Sequence, residues 1–390
     1  MKRKKTILVL SAGVFSILAV FTLIKMWTET VEIALIQTIQ MPELSNISEL
    51  SLGDSRAKAV SLDGRVIGQT NTTTMPTAST AKMILGLAVM EKKPFSLGEK
   101  GEMITITPEF YDKYLWYINH NGSTTKVEIM EEISQYDALA SVFLASSNNL
   151  ADTLAIWAFG SLDSYRNYAT EMLSRLGITN TTIGQDASGY SETTTSTAGD
   201  LSIIAAEVLK NPVLKEIVGL RTYTVPVAGL ITNTNKILGE PLDSGSSVIG
   251  VKTGYIGDIS GYNLVSAYEH DDHLITLALL GASSRSSSFE ESKKELSRLS
   301  EELKTTAIIS SGEVVGYYET WWNGKHPIKA TEDISTIAIL DDGNQITLTN
   351  EGIEVVLNGK NYHASTTYDN FATEPTVIER FLHLFGWTAE

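Results

Sequence analysis

The chain has 390 residues, no cysteine and a formal net charge of −16 at pH 7. A chain of this length is too long to fold around one small hydrophobic core, so we expect two domains with additional terminal segments. The acidic balance argues against a nucleic-acid-binding protein, which needs a basic face to neutralise phosphates. The lack of cysteine excludes disulfides, thiolate zinc sites and a cysteine nucleophile.

The N-terminal segment has the pattern of a membrane anchor. A basic cluster, Lys2-Arg3-Lys4-Lys5, precedes residues 6–24, a stretch without a charged residue that is long enough to cross a bilayer. The basic cluster is expected to stay in the cytoplasm, which places the rest of the chain outside the cell membrane. A cleaved signal peptide would also export the chain, but no small-x-small cleavage pattern follows the stretch. We therefore predict a stub and single-pass transmembrane helix over residues 1–27, followed by a stalk over 28–54.

Residues 55–305 predict an α+β domain. The dipeptide Asp63-Gly64, which favours a tight hairpin, separates strands predicted at 57–60 and 65–69. Helical periodicity follows at 78–90, 127–132, 136–159, 164–176 and 200–209. Strands return at 247–253, 263–268 and 274–280, before an amphipathic helix at 289–303. Because strands lie at both ends of this region, they can form one antiparallel sheet with the helical block inserted between them.

The C-terminal region has a different pattern. Short alternating runs at 336–340, 345–348 and 355–357 are separated by turn sequences such as Asn358-Gly359-Lys360, so residues 306–372 predict a small all-β domain. The tail over 375–390 places apolar residues on one helical face. It suits a second membrane contact and docking onto the β domain equally well.

Three short motifs carry the candidate chemistry. Ser79 and Lys82 lie one turn apart at the start of the first long helix, so their side chains can meet. A lysine that loses its charge through desolvation can take the serine proton, and free N–H groups at the helix start can stabilise an oxyanion. This motif alone is weak, because an N-capping serine and a surface lysine have the same spacing. Ser146-Ser147-Asn148 in the helical block and Lys252-Thr253-Gly254 at a strand end complete a specific set of three.

In this order the motifs resemble those of penicillin-binding enzymes and serine β-lactamases. The surrounding sequence is similar to the low-molecular-mass D-Ala-D-Ala carboxypeptidases of the S11 serine peptidase family over about residues 57–305. The similar segments are residues 76–82 (PTASTAK), 146–149 (SSNN), 234–238 (TNKIL), 252–255 (KTGY) and 261–265 (GYNLV). The resemblance implies a β-lactamase/transpeptidase-like fold and an enzyme that removes the terminal D-Ala from peptidoglycan pentapeptides through an acyl-serine. Stem peptides and β-lactams are its expected ligands, and neither a metal nor a cofactor is expected.

The resemblance also implies a role for each matching residue. Ser79 would be the nucleophile, Lys82 its general base, and Ser146 the group that relays a proton to the leaving D-Ala. The other motif residues would bind the substrate: Asn148, Lys252, Thr253, Gly254 and Tyr255. The backbone N–H groups of Ser79 and Tyr255 would form the oxyanion hole.

One family residue has no direct counterpart. Ser288 stands where the family often has an arginine that pairs with the substrate carboxylate. Arg285, three residues earlier, is the candidate for that role, and a weaker carboxylate site would reduce the preference for a free C-terminal D-Ala.

Other functions are compatible with parts of the pattern. A serine β-lactamase needs a carboxylate that activates the deacylating water, and Glu207 matches a loose E-x-x-x-N pattern but lies within a predicted helix. A catalytically silent wall-binding protein is the second alternative, although it would have no need for intact motifs. A metal site at His270 and His273 is disfavoured because both lie in a predicted solvated turn.

Overall fold

The computed structural model describes residues 34–37, 50, 53–320, 324–337, 343–349 and 351–368. The chain divides into two compact units, Ser45–Lys304 and a second that combines Met1–Leu44 with Thr305–Glu390. The predicted anchor over 1–27 and the amphipathic tail over 375–390 lie outside the described residues. Within the described ranges, every helix is too short or too polar to cross a bilayer.

The larger unit contains both strands and helices, and strand β1 (Ala34–Gln37) of the smaller unit precedes it. Its strands are β2 (Ala57–Leu62), β3 (Arg65–Gln69), β4 (Met75–Pro76), β5 (Met103–Thr105), β6 (Glu132–Ser134), β7 (Thr195–Ser196), β8 (Thr222–Val225), β9 (Gly229–Thr232), β10 (Val251–Gly254), β11 (Tyr262–His270) and β12 (His273–Ala282). Its helices are α1 (Lys82–Lys92), α2 (Pro108–Asn119), α3 (Gln135–Leu144), α4 (Asn148–Phe159), α5 (Leu162–Arg175), α6 (Ala198–Lys210), α7 (Pro212–Gly219) and α8 (Arg285–Glu302). A 3₁₀ turn, Ala78–Ala81, leads directly into α1.

A five-stranded antiparallel sheet in the order β10-β11-β12-β2-β3 forms the frame of this unit. The predicted hairpin is confirmed, since Asp63 and Gly64 both have positive φ, 52° and 90°. The pairing of β2 with β12 confirms that the first and last strands share one sheet. Every residue of β2 and β12 is buried. Both faces are therefore covered, with α6 packing against β2 and β12 and α8 packing against β11 and β12.

The helical block differs from the prediction in its boundaries. The single helix predicted over 136–159 is wrong, because α3 and α4 are separate and Ser146 between them has a φ of 59°. The Ser147 hydroxyl accepts a hydrogen bond from Leu150 N and so begins a new helix, a local cap that continuous apolar periodicity conceals. The helix predicted over 127–132 is also wrong, since β6 begins at Glu132 and pairs with β5. The prediction omitted α2 and α7, each of which begins with proline.

The smaller unit consists of strands in the residues that the structure describes. They are β1 together with β13 (Thr305–Ile309), β14 (Val314–Thr320), β15 (Gly324–Ala330), β16 (Ile334–Ile337), β17 (Gln345–Leu348), β18 (Ile353–Leu357), β19 (Lys360–Ala364) and β20 (Thr366–Tyr368). They form sheets in the orders β1-β14-β15-β20, β13-β16 and β17-β18-β19 around a core that includes Ile309, Val315 and Val355. Residues 34–37, which the sequence assigned to a stalk, therefore form a strand that pairs with β14. Their apolar sequence, Ala-Leu-Ile-Gln, suits an added edge strand.

Candidate active site

Ser79 lies in the 3₁₀ turn before α1, and the backbone around it is held in place. Ala78, directly before it, has a φ of 48°, a left-handed conformation that an alanine adopts only where its surroundings enforce it. Asn263 on β11 donates hydrogen bonds of 3.1 Å to two carbonyl groups just upstream, those of Pro76 and Thr77. The sheet thus fixes the position of the serine.

Lys82, the first residue of α1, is completely buried beside this serine. Its Nζ lies 2.9 Å from Ser79 Oγ, 2.7 Å from Asn148 Oδ1 and 2.7 Å from the backbone oxygen of Ser188. Burial lowers the pKa of Lys82 to about 7, against the opposing charge of two nearby carboxylates. Because a base is most effective when its pKa is near the working pH, this lysine can accept the Ser79 proton near neutrality.

A second serine–lysine pair lies in the same cleft. Lys252 on β10 donates hydrogen bonds to Ser146 Oγ at 3.0 Å and to the backbone oxygen of Thr253 at 3.1 Å. Lys252 is buried, and both its burial and the charge of Lys82 hold its pKa well below the usual range. Ser146 therefore has a basic or acidic partner within hydrogen-bonding distance, which a proton relay requires.

The end of β10 runs alongside the Ser79 turn because residue 254 has no side chain. A Cβ at Gly254 would lie 3.0 Å from Thr77 O and 3.1 Å from Ser79 N. The preceding hydroxyl, Thr253 Oγ1, lies 2.8 Å from Thr234 Oγ1. The strand therefore presents backbone groups and a hydroxyl beside the serine.

A cavity of about 210 Å³ connects these groups. Its lining includes Ser79, Ser146, Thr253 and, from the start of α8, the exposed Arg285. Ser288 lines the same cavity, and its hydroxyl donates to the Arg285 carbonyl. The structure thus places the candidate carboxylate-binding arginine at the cleft that contains the serine.

A neighbouring cavity of about 380 Å³ also reaches the serine. Ser79, Asn148, Tyr190 and Tyr255 are among the residues that line it. Tyr255 is 43% exposed and stacks on Tyr262, with ring centroids 4.1 Å apart. An extended ligand can therefore continue from the serine along this side of the cleft.

The remaining sequence candidates do not join this site. Glu207 on α6 forms an ion pair with Lys210 at 2.6 Å and lines neither cavity described above. His273 is buried and hydrogen bonds Asp63 at 2.7 Å, so the predicted solvated turn is wrong for this residue. Among the described residues, no group of three or more histidine, aspartate or glutamate side chains is arranged to hold a metal ion.

Sequence reasoning gave no role to several groups that support the site. Thr234 and Asn263 lie in segments that carry the family resemblance, where a role was available to be inferred. Asp152 follows Asn148 by one helical turn, an i,i+4 spacing on α4 that brings the two side chains to one face. Ser188 acts through its backbone carbonyl, which leaves no side-chain signal in a sequence.

The sequence model of the family described as D-alanyl-D-alanine carboxypeptidase matches residues 58–284, more than half of the chain. D-alanyl-D-alanine carboxypeptidase DacC of Escherichia coli (strain K12) is 29% identical over 171 residues, which are 43% of this chain and 40% of that protein. DacF of Bacillus subtilis (strain 168), of the same description, is 28% identical over 167 residues, 42% of this chain and 41% of that protein. The chain thus matches about two fifths of the length of these relatives.

Solved structures share the fold. Penicillin binding protein 5 from Haemophilus influenzae has a TM-score of 0.60 at 18% identity, covering 83% of this chain and 99% of that chain. The Streptomyces K15 DD-transpeptidase has a TM-score of 0.56 at 21% identity, covering 65% and 98%. Penicillin-Binding Protein D2 from Listeria monocytogenes, solved in the ampicillin bound form, has a TM-score of 0.52 at 21% identity, with the same coverage. The fold is that of the DD-peptidases and transpeptidases, and the chain belongs to the D-alanyl-D-alanine carboxypeptidase family of serine peptidases.

Proposed function

We propose that this protein is a serine-type D-Ala-D-Ala carboxypeptidase that removes the terminal D-Ala from peptidoglycan pentapeptides. The observation that carries the proposal is the contact of 2.9 Å between Ser79 Oγ and the buried Lys82 Nζ, whose pKa is about 7. Membership of the family supports the choice of substrate. A lysine of ordinary pKa would be fully protonated near neutrality and could not act as the base.

In the acylation step, neutral Lys82 takes the proton of Ser79, and Ser79 Oγ attacks the carbonyl carbon of the penultimate D-Ala. The N–H groups of Ser79 and Tyr255 stabilise the resulting oxyanion. Ser146, hydrogen-bonded to Lys252, delivers a proton to the leaving nitrogen as the C–N bond breaks, and the proton that Lys82 took from Ser79 replaces it. D-Ala leaves and an ester links the shortened peptide to Ser79.

Water then attacks the ester carbonyl and releases the shortened peptide with a new carboxylate, while Ser79 recovers its proton.

Asn148 binds the peptide amide and orients Lys82, whose Nζ donates to Asn148 Oδ1. The terminal carboxylate of the substrate is bound by Thr253 and Arg285, which line the cavity, and by Lys252, which contacts Ser146. Gly254 lets the substrate backbone lie against β10 beside the serine.

The protein would act outside the cell membrane. The basic cluster at residues 2–5 and the uncharged stretch at 6–24 support a single-pass anchor that keeps the catalytic unit on the extracytoplasmic side. Peptidoglycan lies on that side, so the proposed anchor and the proposed substrate agree.

Intact-mass analysis of the full chain tests the function. We expect penicillin to form a slowly hydrolysed adduct and a D-Ala-D-Ala pentapeptide to lose one alanine. Ser79→Ala should abolish the adduct and reduce D-Ala release by roughly 10³-fold or more, because the nucleophile is gone. Ser174→Ala, which removes an exposed helix serine, is the matched control and should behave as wild type.

Two outcomes would favour the alternatives. Rapid penicillin turnover with the peptide intact would indicate a β-lactamase. No reaction with either compound would indicate a catalytically silent wall-binding protein.

A further inference from the structure

The charges of two carboxylates, Asp186 and Asp152, act on Lys82, and each belongs to an element that contacts the Lys82 nitrogen. Asp152 is on α4, one turn after Asn148, whose side chain accepts a hydrogen bond from Lys82. Asp186 lies two residues before Ser188, whose carbonyl accepts another. Both elements that hold the Lys82 nitrogen thus bring a negative charge towards it.

Asp152 is buried and held by two donors. Its Oδ1 accepts from Ala187 N at 3.0 Å, and its Oδ2 accepts from the Tyr117 hydroxyl at 2.8 Å. The oxygens of Asp186, in contrast, accept four hydrogen bonds from the loop that contains it, from Ser188 N, Ser188 Oγ, Tyr190 N and Ser191 N. Asp186 therefore holds the loop together, whereas the Asp152 carboxylate has fewer bonds to its surroundings.

Burial shifts the pKa values of both Asp152 and Lys82. Burial raises the pKa of Asp152 to about 6, and the charge of Asp186 acts in the same direction while Lys113 opposes it. The negative charges of Asp186 and then Asp152 oppose the effect of burial on Lys82, whose pKa is about 7. Lys252 is the basic neighbour, and burial and then the charge of Lys82 lower its own pKa.

Two phenols complete the surroundings and stay neutral. Burial, and then the two carboxylates, raise the pKa of both Tyr117 and Tyr165 far above the ordinary value. Neither phenol adds a charge in the working pH range, so the charged groups that act alongside burial at Lys82 are the two carboxylates and Lys252.

We propose that Asp152 is a positioning residue for the acylation step, whose negative charge stabilises the ammonium group that Lys82 becomes when it accepts the Ser79 proton. The inference rests on the proposed function. When the proton moves from Ser79 Oγ to Lys82 Nζ, a positive charge appears in a buried site that already contains Lys252. A fixed anion that is ready before the reaction lowers the free energy of that charged state without reorganisation.

The variant Asp152→Asn separates this electrostatic role from a purely structural one, in which Asp152 only fixes the loop through Ala187. Asp152→Asn keeps the size of the side chain. Its amide oxygen can accept from Ala187 N, and its amide nitrogen can donate to the Tyr117 oxygen, so chiefly the charge is removed.

The experiment is the pH dependence of the acylation rate with penicillin, from about pH 5 to pH 9, for the full chain. Without the anion, Lys82 loses its proton at lower pH and becomes a weaker base. The acylation rate rises with pH as Lys82 loses its proton and then reaches a plateau. For Asp152→Asn we therefore expect this rise to occur at a pH lower by about 0.5 unit or more, and the plateau rate to be at least about threefold lower. Asp163→Asn, which removes the same charge from a side chain that is 79% exposed, should leave the profile unchanged.

An unshifted rise in Asp152→Asn, with or without a lower plateau, would overturn the proposal, because a loosened loop lowers the rate without changing the titration. If Asp152→Asn does not fold by circular dichroism, Tyr117→Phe replaces it. Loss of the Tyr117 hydroxyl raises the pKa of Asp152, so the carboxylate is less ionised and the rise should move in the same direction. Tyr168→Phe, whose hydroxyl donates to Glu91 instead, is the matched control.

If wild type forms no penicillin adduct, the proposed function fails, and a second readout still tests this inference. Titration of Lys82 by NMR of ¹³Cε-labelled lysine reports its pKa without turnover. A lower pKa in Asp152→Asn than in wild type would support the electrostatic link, and equal values would overturn it.

Discussion

Gly189 permits the closest backbone approach in the neighbourhood of the candidate nucleophile. It has a φ of +71°, and a Cβ at this position would lie 2.0 Å from Ala78 O and 2.9 Å from Ala81 Cβ. The next residue upstream, Ser188, provides the carbonyl that binds Lys82. A missing side chain therefore lets one loop contact both the serine turn and the lysine.

We predict that Gly189→Ala lowers the acylation rate by at least about tenfold, because either the Ser79 turn or the Ser188 carbonyl must move to admit the methyl group. The left-handed backbone alone costs an alanine roughly 1 kcal/mol. Gly177→Ala isolates that cost, since Gly177 has a φ of +72° and open space around its Cβ position. Penicillin acylation and urea unfolding of both variants check this, and equal acylation rates would refute it.

At the level of elements, α8 is tied to the rest of the larger unit by two ion pairs that differ in burial. Lys58 on β2 contacts Glu291 at 2.9 Å, with side chains 4% and 16% exposed. Glu291 also accepts a hydrogen bond from Asp54 N at 2.7 Å. The second pair, Lys293 with Glu240, is 41% exposed at both side chains. The buried pair is the stronger constraint on α8, which carries Arg285 at its first turn.

Glu291→Ala is expected to reduce the free energy of unfolding by roughly 3 kcal/mol, because it leaves the buried Lys58 without its partner. Glu240→Ala, which breaks the exposed pair on the same helix, should have a much smaller effect because solvent screens that pair. Urea denaturation midpoints compare the two variants. A loss for Glu240→Ala as large as that for Glu291→Ala would contradict the argument from burial.

At the scale of the whole molecule, the smaller unit is formed by two separate segments of the chain. Residues 34–37 form β1 and pair with β14, while the larger unit occupies the intervening sequence up to Lys304. The sheet β1-β14-β15-β20 thus joins residues from both ends of the chain. Any membrane anchor before β1 would be connected first to this unit.

The full chain should sediment with membranes and resist extraction by alkaline carbonate, because about 20 consecutive uncharged, largely apolar residues suffice to span a bilayer. The same chain without residues 1–27 should be recovered in the soluble fraction while still forming the penicillin adduct. Fractionation followed by labelling with a fluorescent penicillin measures both properties. Carbonate-extractable full-length protein would refute the anchor.

Features that depend on local spacing could be predicted from the amino-acid sequence. The hairpin at Asp63-Gly64 and the shared face of Ser79 and Lys82 follow from backbone geometry over two to four residues, and the motif order led to the family. Helix ends were harder to predict, because the cap at Ser147 competes with an apolar pattern that continues across it.

Contacts between residues distant in sequence could be seen only in the folded chain. Lys252 and Ser146 are 106 residues apart in sequence, as are Lys82 and Ser188. The second contact uses a backbone carbonyl, which every residue possesses. Such contacts depend on how the sheet and the helical block pack, and so does the pKa of Lys82, which is lowered by burial rather than by any sequence neighbour. The pairing of β1 with β14 also depends on tertiary packing, because an unpaired strand edge can bind any strand that the folded chain brings next to it.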